Sequence, residues 1–321
     1  GGPERSAMAR YIGIRLGQLV FISFLISLTA FLLVHLLPGD PTTTILGPYD
    51  TPSARAELLK QLGLNKPLYH QYWTWIVNVL HGQLGEAFTT KQTVSNILAV
   101  ALPIDIELMI VSSIIALVVA IPLALVSALR PNRLFDRSST TSTLGMLALP
   151  PFVAGPLLVL IFAVSLHWVP ATGFDRLSAG IGPNLKSVIL PSIVLSFGSI
   201  AVYFRLLRAD LISTLQEDFV TMARSKGLST PYILFRHVLR PSSFSLLAAA
   251  GLSIGSLFSG AFVVEVLFQL PGVGFQIVNH IYSRDYLVVQ GLALVAAVAF
   301  VAINFLADFL LTALDPRVRR A

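Results

Sequence analysis

The chain has 321 residues, of which 55% are hydrophobic and only 12% are charged, and its mean hydropathy is +0.78. Soluble domains carry about 25% charged residues, so this composition excludes an ordinary soluble protein and predicts a membrane protein. The absence of cysteine excludes disulfides, thiolate metal sites and cysteine nucleophiles.

The first membrane segment follows a short N-terminal stretch. Residues 1–7 precede Met8, and we expect them to be a remnant of cloning rather than part of the fold. A run without charged residues then extends over 16–39, long enough for the roughly 20 apolar residues that cross a bilayer. Because this run is too long for a signal peptide and lacks a small-residue cleavage site, we assign residues 8–39 to the first transmembrane helix.

Residues 40–102 are mixed in composition and predict an extracytoplasmic elaboration after the first helix. A short helix is predicted over 51–62, capped by Thr51 or Ser53. A second helix, rich in tyrosine and tryptophan, is predicted over 68–80. Such aromatic residues are typical of a membrane interface or of local packing, and they could also form a platform for a substrate.

Five further charge-free runs of 17 to 23 residues predict five more transmembrane helices. They extend over 108–129, 144–166, 188–204, 244–264 and 286–307. The predicted fold is an all-α membrane protein with six transmembrane helices, the last five forming a core over 103–321. Pro150, Pro151 and Pro156 interrupt the third run, as a hinge or as a static kink. Pro191 is expected to begin the fourth.

The distribution of basic residues predicts the orientation of the chain. Six spans place both termini on the same side of the membrane. With the termini inside, fifteen lysines and arginines lie in cytoplasmic segments and seven lie outside. Because cytoplasmic loops carry the excess of basic residues, both termini are predicted in the cytoplasm. These cytoplasmic basic residues account for the net charge of +6, so the charge does not indicate a nucleic-acid partner.

A polar, basic stretch lies between the fourth and fifth predicted spans, at 213–242. Its start fits a capping box, formed by Ser213 with Gln216 or by Thr214 with Glu217. Apolar residues then recur at helical spacing and predict one apolar face. They are Leu215, Phe219, Met222 and Ala223.

Two further signals divide this stretch into two helices. Gly227 is placed as the C′ glycine that ends the first helix. Thr230 and Pro231 are placed as the cap and first residue of the second helix, which Pro241 follows.

The stretch resembles the cytoplasmic coupling loop of ATP-binding-cassette importer permeases. The family pattern is Glu-Ala-Ala, three residues, Gly, and nine residues before Ile-x-Leu-Pro. Aligned on Gly227, Ala223 and Leu239 match, and the proline comes one place late at Pro241. Three further positions differ from the pattern: Thr221, Met222 and His237. The alternative is an ordinary amphipathic loop on the membrane surface.

Other phrases make the resemblance more specific. ARSKGL followed by RHVLRPS is similar to the dipeptide and oligopeptide branch of these permeases. LPGDP at 37–41, LGLNKPL at 62–68 and GQLG at 82–85 belong to the same pattern. They precede the coupling stretch in the order that the family has.

The resemblance implies a heteromeric complex in the cell membrane of a bacterium. This chain would pair with a second permease subunit, two ATP-binding subunits that hold ATP and Mg²⁺, and an extracytoplasmic substrate-binding protein. The substrate would be a di- or oligopeptide, although relatives carry nickel, glutathione or haem. Coupling to the ATPases would fall to Asp218, Phe219, Thr221, Met222, Ala223, Lys226, Gly227, His237 and Leu239.

The phrase LPGVG at 270–274 also resembles the peptide permeases and predicts an outward-facing turn. The turn could help to close the outer mouth of a pathway, through Pro271, Gly272 and Gly274. Glu265 ends the fifth predicted span, where water is close, and is either an interfacial anchor or a substrate contact.

No catalytic chemistry is evident in the sequence. It lacks the G-x-x-x-x-G-K-S/T phosphate loop and the H-E-x-x-H zinc motif, so we expect no catalytic residue, metal site or cofactor in this chain. The alternative class is a secondary transporter driven by an ion gradient, with Glu265 or Asp308 as the coupling carboxylate.

Overall fold

The structure is a computed structural model that describes residues 13, 17–18, 20–32, 46, 50–61, 63–87 and 90–314, without the side chains of 61 and 308–314. Its helices, in chain order, are α1 (Val20–Leu32), α2 (Pro52–Gln61), α3 (Leu68–Leu80), α4 (Val94–Leu129), α5 (Leu134–Ala148), α6 (Pro151–Ser165), α7 (Ile181–Thr214), α8 (Asp218–Ser225), α9 (Thr230–Phe268), α10 (Val273–Tyr282) and α11 (Tyr286–Leu314). The chain forms two compact units, one of residues 1–103 and 271–302 and one of residues 104–270 and 303–321. The predicted all-α class is confirmed.

In the first unit, two aromatic residues of α3, Tyr72 and Trp75, pack against α1, while Tyr69 and Trp73 are exposed. The ring of Tyr72 meets Phe24 and Phe31 of α1 edge-on, and its hydroxyl lies 2.8 Å from the Ser27 hydroxyl. The predicted bounds of this helix, 68–80, are confirmed. For α2, the cap is Thr51, whose Oγ1 accepts the N–H of Ala54 at 3.2 Å.

The segment between α3 and α4 folds back on the start of α11. Residues 85–87 and 90–94 pair in a short antiparallel arrangement closed by the Glu86–Thr93 bridge. Gly291 faces this segment so closely that a Cβ atom there would lie 2.5 Å from the carbonyl oxygen of Leu84. Only a glycine permits this approach of a helix to a backbone carbonyl.

Four described helices are long and apolar enough to cross a membrane: α4, α7, α9 and α11. A fifth span results if α5 and α6 are taken together. The described part of the first predicted span is α1, and the ends of that span and the LPGDP phrase lie outside the described residues. The protein is therefore helical throughout its described spans, with four or five of them assigned by length and composition.

The third predicted span is a sharply bent pair and not one continuous helix. The axes of α5 and α6 differ by 109° across Leu149 and Pro150. A residue that precedes a proline is driven out of the helical region, and Leu149 has φ −85° and ψ 112°. The sequence predicts either a hinge or a static kink at these prolines. The structure shows a large bend there, and its cause is the local steric effect of Pro150 on Leu149.

Two helices extend beyond their predicted bounds. Helix α7 starts at Ile181, so Pro191 lies inside the helix and does not begin it. Helix α9 starts at Thr230, passes through a π turn at Leu234–Val238, and continues through Pro241 into the fifth span. The second helix of the coupling stretch is therefore the first part of a membrane span.

The core of the second unit is built on a row of small residues. Four alanines of α4 recur every fourth residue and pack in one cluster with large side chains of α7. The alanines are Ala116, Ala120, Ala124 and Ala128, and the α7 residues include Tyr203, Phe204, Leu207 and Leu211. Small residues allow helices to pack closely in a membrane, where apolar side chains have no preference for one another over lipid.

Candidate functional site

The stretch between α7 and α9 is the candidate site, and we call residues 213–242 the coupling segment. Its first helix, α8, begins at Asp218, after an extended Glu217 that makes no side-chain cap. The predicted capping boxes are wrong, because Ser213 and Thr214 are the last residues of α7. Asp218 lies in the first turn of α8 and Arg224 in its last turn. Both charges are favourable, because the helix dipole is positive at the N-terminal end and negative at the C-terminal end.

Gly227 ends α8 as predicted. Its φ of +78° lies in the left-handed region that favours glycine. The N–H of Gly227 donates to the Arg224 carbonyl at 2.9 Å, and the N–H of Leu228 donates to the Ala223 carbonyl at 3.3 Å. These two bonds form a Schellman motif, which fixes the turn between α8 and α9.

The inner side of the coupling segment is part of the core of the second unit. Val220 is fully buried, and Ala223, Ile233, Leu234 and Val238 are buried with it. They join the cluster that holds Leu207 and Leu211 of α7. The predicted apolar face is therefore divided between two sides of α8. Ala223 faces the core, while Phe219 and Met222 face outward.

Five large apolar side chains lie on the exposed side of the coupling segment. This apolar strip consists of Phe219, Met222, Leu228, Tyr232 and Phe235, and its most exposed member is Phe235 at 63%. The Tyr232 ring stacks edge-on against His237 at 5.6 Å. Exposed apolar residues clustered among polar ones mark interaction surfaces. Sequence periodicity missed Leu228, Tyr232 and Phe235 because the strip crosses from one helix to the next.

The other residues assigned to coupling lie around the strip. Asp218, Thr221 and Lys226 are exposed, and His237 and Leu239 are half-buried. The exposed arginines of the segment are Arg224, Arg236 and Arg240. The exposed surface of the coupling segment therefore combines large apolar side chains with mainly basic ones.

The base of the coupling segment is closed by a hydrogen bond between its two ends. The Ser242 hydroxyl donates to Thr214 Oγ1 at 2.9 Å, which joins the fourth turn of α9 to the last turn of α7. Ser242 is buried, so this bond is shielded from water. Together with the buried apolar side, this bond ties the coupling segment to α7.

An ion pair links α7 to the first turn of α5. Arg208 donates through Nε to Asp136 Oδ1 at 2.5 Å and through Nη2 to Oδ2 at 2.6 Å. The same carboxylate accepts the N–H of Asn132 at 2.7 Å, and Asp136 is only 2% exposed. The sequence alone did not predict this ion pair. The one signal for it is that Asp136 is the sole acidic residue in the arginine-rich stretch 130–137.

The predicted outer turn is shorter than expected. Helix α9 ends at Phe268, Gln269 adopts a left-handed cap with φ 54°, and the N–H of Leu270 donates to the Glu265 carbonyl at 2.9 Å. Pro271 and Gly272 connect to α10, which begins at Val273. Gly274 therefore lies in a helix and not in the turn.

Glu265 is fully buried, which contradicts the expectation that water reaches it at the end of its span. The reason is that α9 continues for almost another turn, to Phe268, which is also buried. The side chain of Asp308 lies outside the described residues.

A histidine and an aspartate lie close together near the start of α11. His280 Nδ1 is 3.9 Å from Asp285 Oδ2. Burial lowers the pKa of His280 below its usual value, and the nearby Asp285 opposes that shift. Among the described residues, no group of three or more histidine, cysteine or acidic side chains could hold a metal ion.

Comparison with known proteins agrees with these features. Residues 120–320 match the family described as "Binding-protein-dependent transport system inner membrane component", and residues 8–109 match its N-terminal component. The chain is 34% identical to the di/tripeptide transport system permease protein DppB of Pseudomonas aeruginosa, over 97% of this chain and 99% of that protein. It is also 34% identical to the glutathione transport system permease protein GsiC of Escherichia coli K12, with the same coverage. The chain therefore belongs to the binding-protein-dependent transport system inner membrane components and is a multi-pass permease subunit of an ATP-binding-cassette importer.

Proposed function

We propose that this subunit forms, with a second permease subunit, the pathway by which short peptides enter a bacterial cell. The names of the two relatives support this substrate class, because one carries di- and tripeptides and glutathione is itself a tripeptide. An extracytoplasmic binding protein would deliver the peptide, and two ATP-binding subunits would bind ATP and Mg²⁺.

The proposed topology has six spans with both termini in the cytoplasm. The first apolar run adds one span to α4, the α5–α6 pair, α7, α9 and α11. This arrangement puts the coupling segment on the cytoplasmic side, which the excess of basic residues in the same loops supports.

The apolar strip is the observation that carries the coupling role. It stands on a segment whose inner side is buried with α4 and α7 and whose base is closed by the Ser242–Thr214 bond. A partner that moved the strip would therefore move the ends of α7 and α9 with it. Closure of the ATPase pair would then change the pathway between the permeases by a rigid-body movement.

A double variant of the strip tests this contact. Phe219→Glu with Met222→Glu is expected to reduce the ATPase that co-purifies with the tagged chain by tenfold or more, because it places two carboxylates in an apolar interface. The amount of permease in the membrane should be unchanged, since both side chains are exposed.

Leu177→Glu is the matched control, because Leu177 is an exposed apolar residue on the short turn between α6 and α7. Normal recovery of the ATPase with the strip variant would contradict a coupling role for Phe219 and Met222. Loss of ATPase in both variants would point to a general loss of the complex.

Reconstitution separates the importer from an ion-driven carrier. We expect uptake of a labelled di- or tripeptide into proteoliposomes to require the binding protein outside and ATP inside. Uptake should continue after ionophores abolish the ion gradients. Uptake that needs a gradient and proceeds without ATP would instead support the secondary transporter.

A further inference from the structure

A groove of about 500 Å³ lies where α4 ends and α5 begins. It combines two arginines with apolar side chains: Val126, Leu129, Arg130, Arg133, Leu134 and Phe135. All four apolar residues are exposed, and Leu134 is 84% exposed. None of these residues belongs to the coupling segment, so the function proposed above leaves the groove without a role.

The groove carries positive charge that the described protein does not neutralise. Arg130 and Arg133 are exposed, and neither side chain makes an ion pair or hydrogen bond with another described residue. Arg137 is exposed one helical turn beyond Arg133. The nearby Asp136 is turned away into its pair with Arg208.

The backbone that carries the two arginines is held in a fixed conformation. Asn132 lies between them with a left-handed φ of 64°. Its N–H donates to Asp136 Oδ2 at 2.7 Å, and Asp136 is itself held by Arg208. The groove is therefore formed before a ligand arrives, which lowers the entropic cost of binding.

We propose that this groove binds an anionic phospholipid. Arg130 and Arg133 would bind the phosphate, because guanidinium groups match phosphate oxygens in both charge and geometry. The acyl chain would lie along Val126, Leu129 and Phe135. The position supports a lipid over a soluble anion, since the groove lies at the end of a 36-residue helix that is long and apolar enough to cross the membrane. The proposal does not depend on the coupling role.

Native mass spectrometry tests the proposal on the full chain purified with its partner subunits. Palmitoyl-oleoyl phosphatidylglycerol and palmitoyl-oleoyl phosphatidylcholine are added stepwise. We expect tighter binding of the anionic lipid, and Arg130→Gln with Arg133→Gln should weaken it by about 25-fold, at roughly fivefold for each basic residue. Binding of the zwitterionic lipid should stay the same, and Arg130→Lys with Arg133→Lys should retain most of the preference.

Arg176→Gln with Lys186→Gln is the control pair, because it removes the same charge from exposed positions between α6 and the start of α7. Equal loss of phosphatidylglycerol in both double variants would overturn the proposal in favour of a non-specific charge effect. Displacement of the lipid by millimolar glycerol phosphate would overturn it in favour of a site for soluble phosphate esters. Protection of an Arg133→Cys thiol from maleimide in lipid-depleted complex would show that a partner subunit covers the groove.

Discussion

Arg208→Ala is expected to destabilise the second unit by about 3 kcal/mol, because it leaves the buried carboxylate of Asp136 without its ionic partner. For a chain of 321 residues, such a loss corresponds to a fall in Tm of about 4–5 °C. Thermal unfolding of the purified chain in detergent, followed by circular dichroism, measures it.

Arg205→Ala is a close control on the same helix, because Arg205 is exposed and makes no ion pair with the described residues. A second control replaces the whole pair, as Asp136→Leu with Arg208→Met. It should recover most of the lost stability, because a buried ion pair can often be exchanged for apolar side chains. Equal Tm values for the Arg208 and Arg205 variants would contradict the structural role of the pair.

Gly291→Ala is expected to be the second most damaging of the changes considered. The added methyl would lie 2.5 Å from the Leu84 carbonyl oxygen and 3.2 Å from both methyl groups of Val94. A backbone carbonyl cannot turn aside as the end of a flexible side chain can, so we expect a loss of about 1–3 kcal/mol.

Gly198→Ala is a control for which no loss of stability is expected. Gly198 lies within α7 with open space where a Cβ would be placed. Alanine there should be neutral, or more stable by up to about 1 kcal/mol, because alanine is the better helix former. Both variants are compared by the same thermal unfolding experiment. A rise in Tm with Gly291→Ala would show that α11 does not pack against residues 85–87 and 90–94 as described.

Local chemistry allowed several parts of the fold to be predicted from the sequence. The bounds of α3 were predicted from its run of tyrosines and tryptophans, and the end of α8 was predicted from Gly227. The position of the break between α5 and α6 follows from Pro150. Its angle does not, because a proline specifies where a helix fails but not where the next one packs.

Tertiary contacts explain what the sequence did not reveal. Asp136 and Arg208 are 72 residues apart, and no periodicity connects them. Within α8, Phe219 and Val220 are adjacent apolar residues. Packing against α7 buries Val220 and leaves Phe219 exposed, which the sequence alone does not reveal. The candidate site was therefore located by motif, while its exposed surface required the structure.

The bend between α5 and α6 has a consequence for the surroundings of that span. Each helix has 15 residues and a length of about 22 Å, so neither alone crosses a hydrocarbon core of about 30 Å. The carbonyl of Gly145 accepts the N–H of Leu149, but those of Met146 and Leu147 have no donor four residues on, since Pro150 and Pro151 lack an N–H. Such groups are tolerated at membrane depth only where protein or water covers them. In the proposed topology, where the α5–α6 pair is one span, lipid tails would be excluded from the bend, and water or protein would have to cover it.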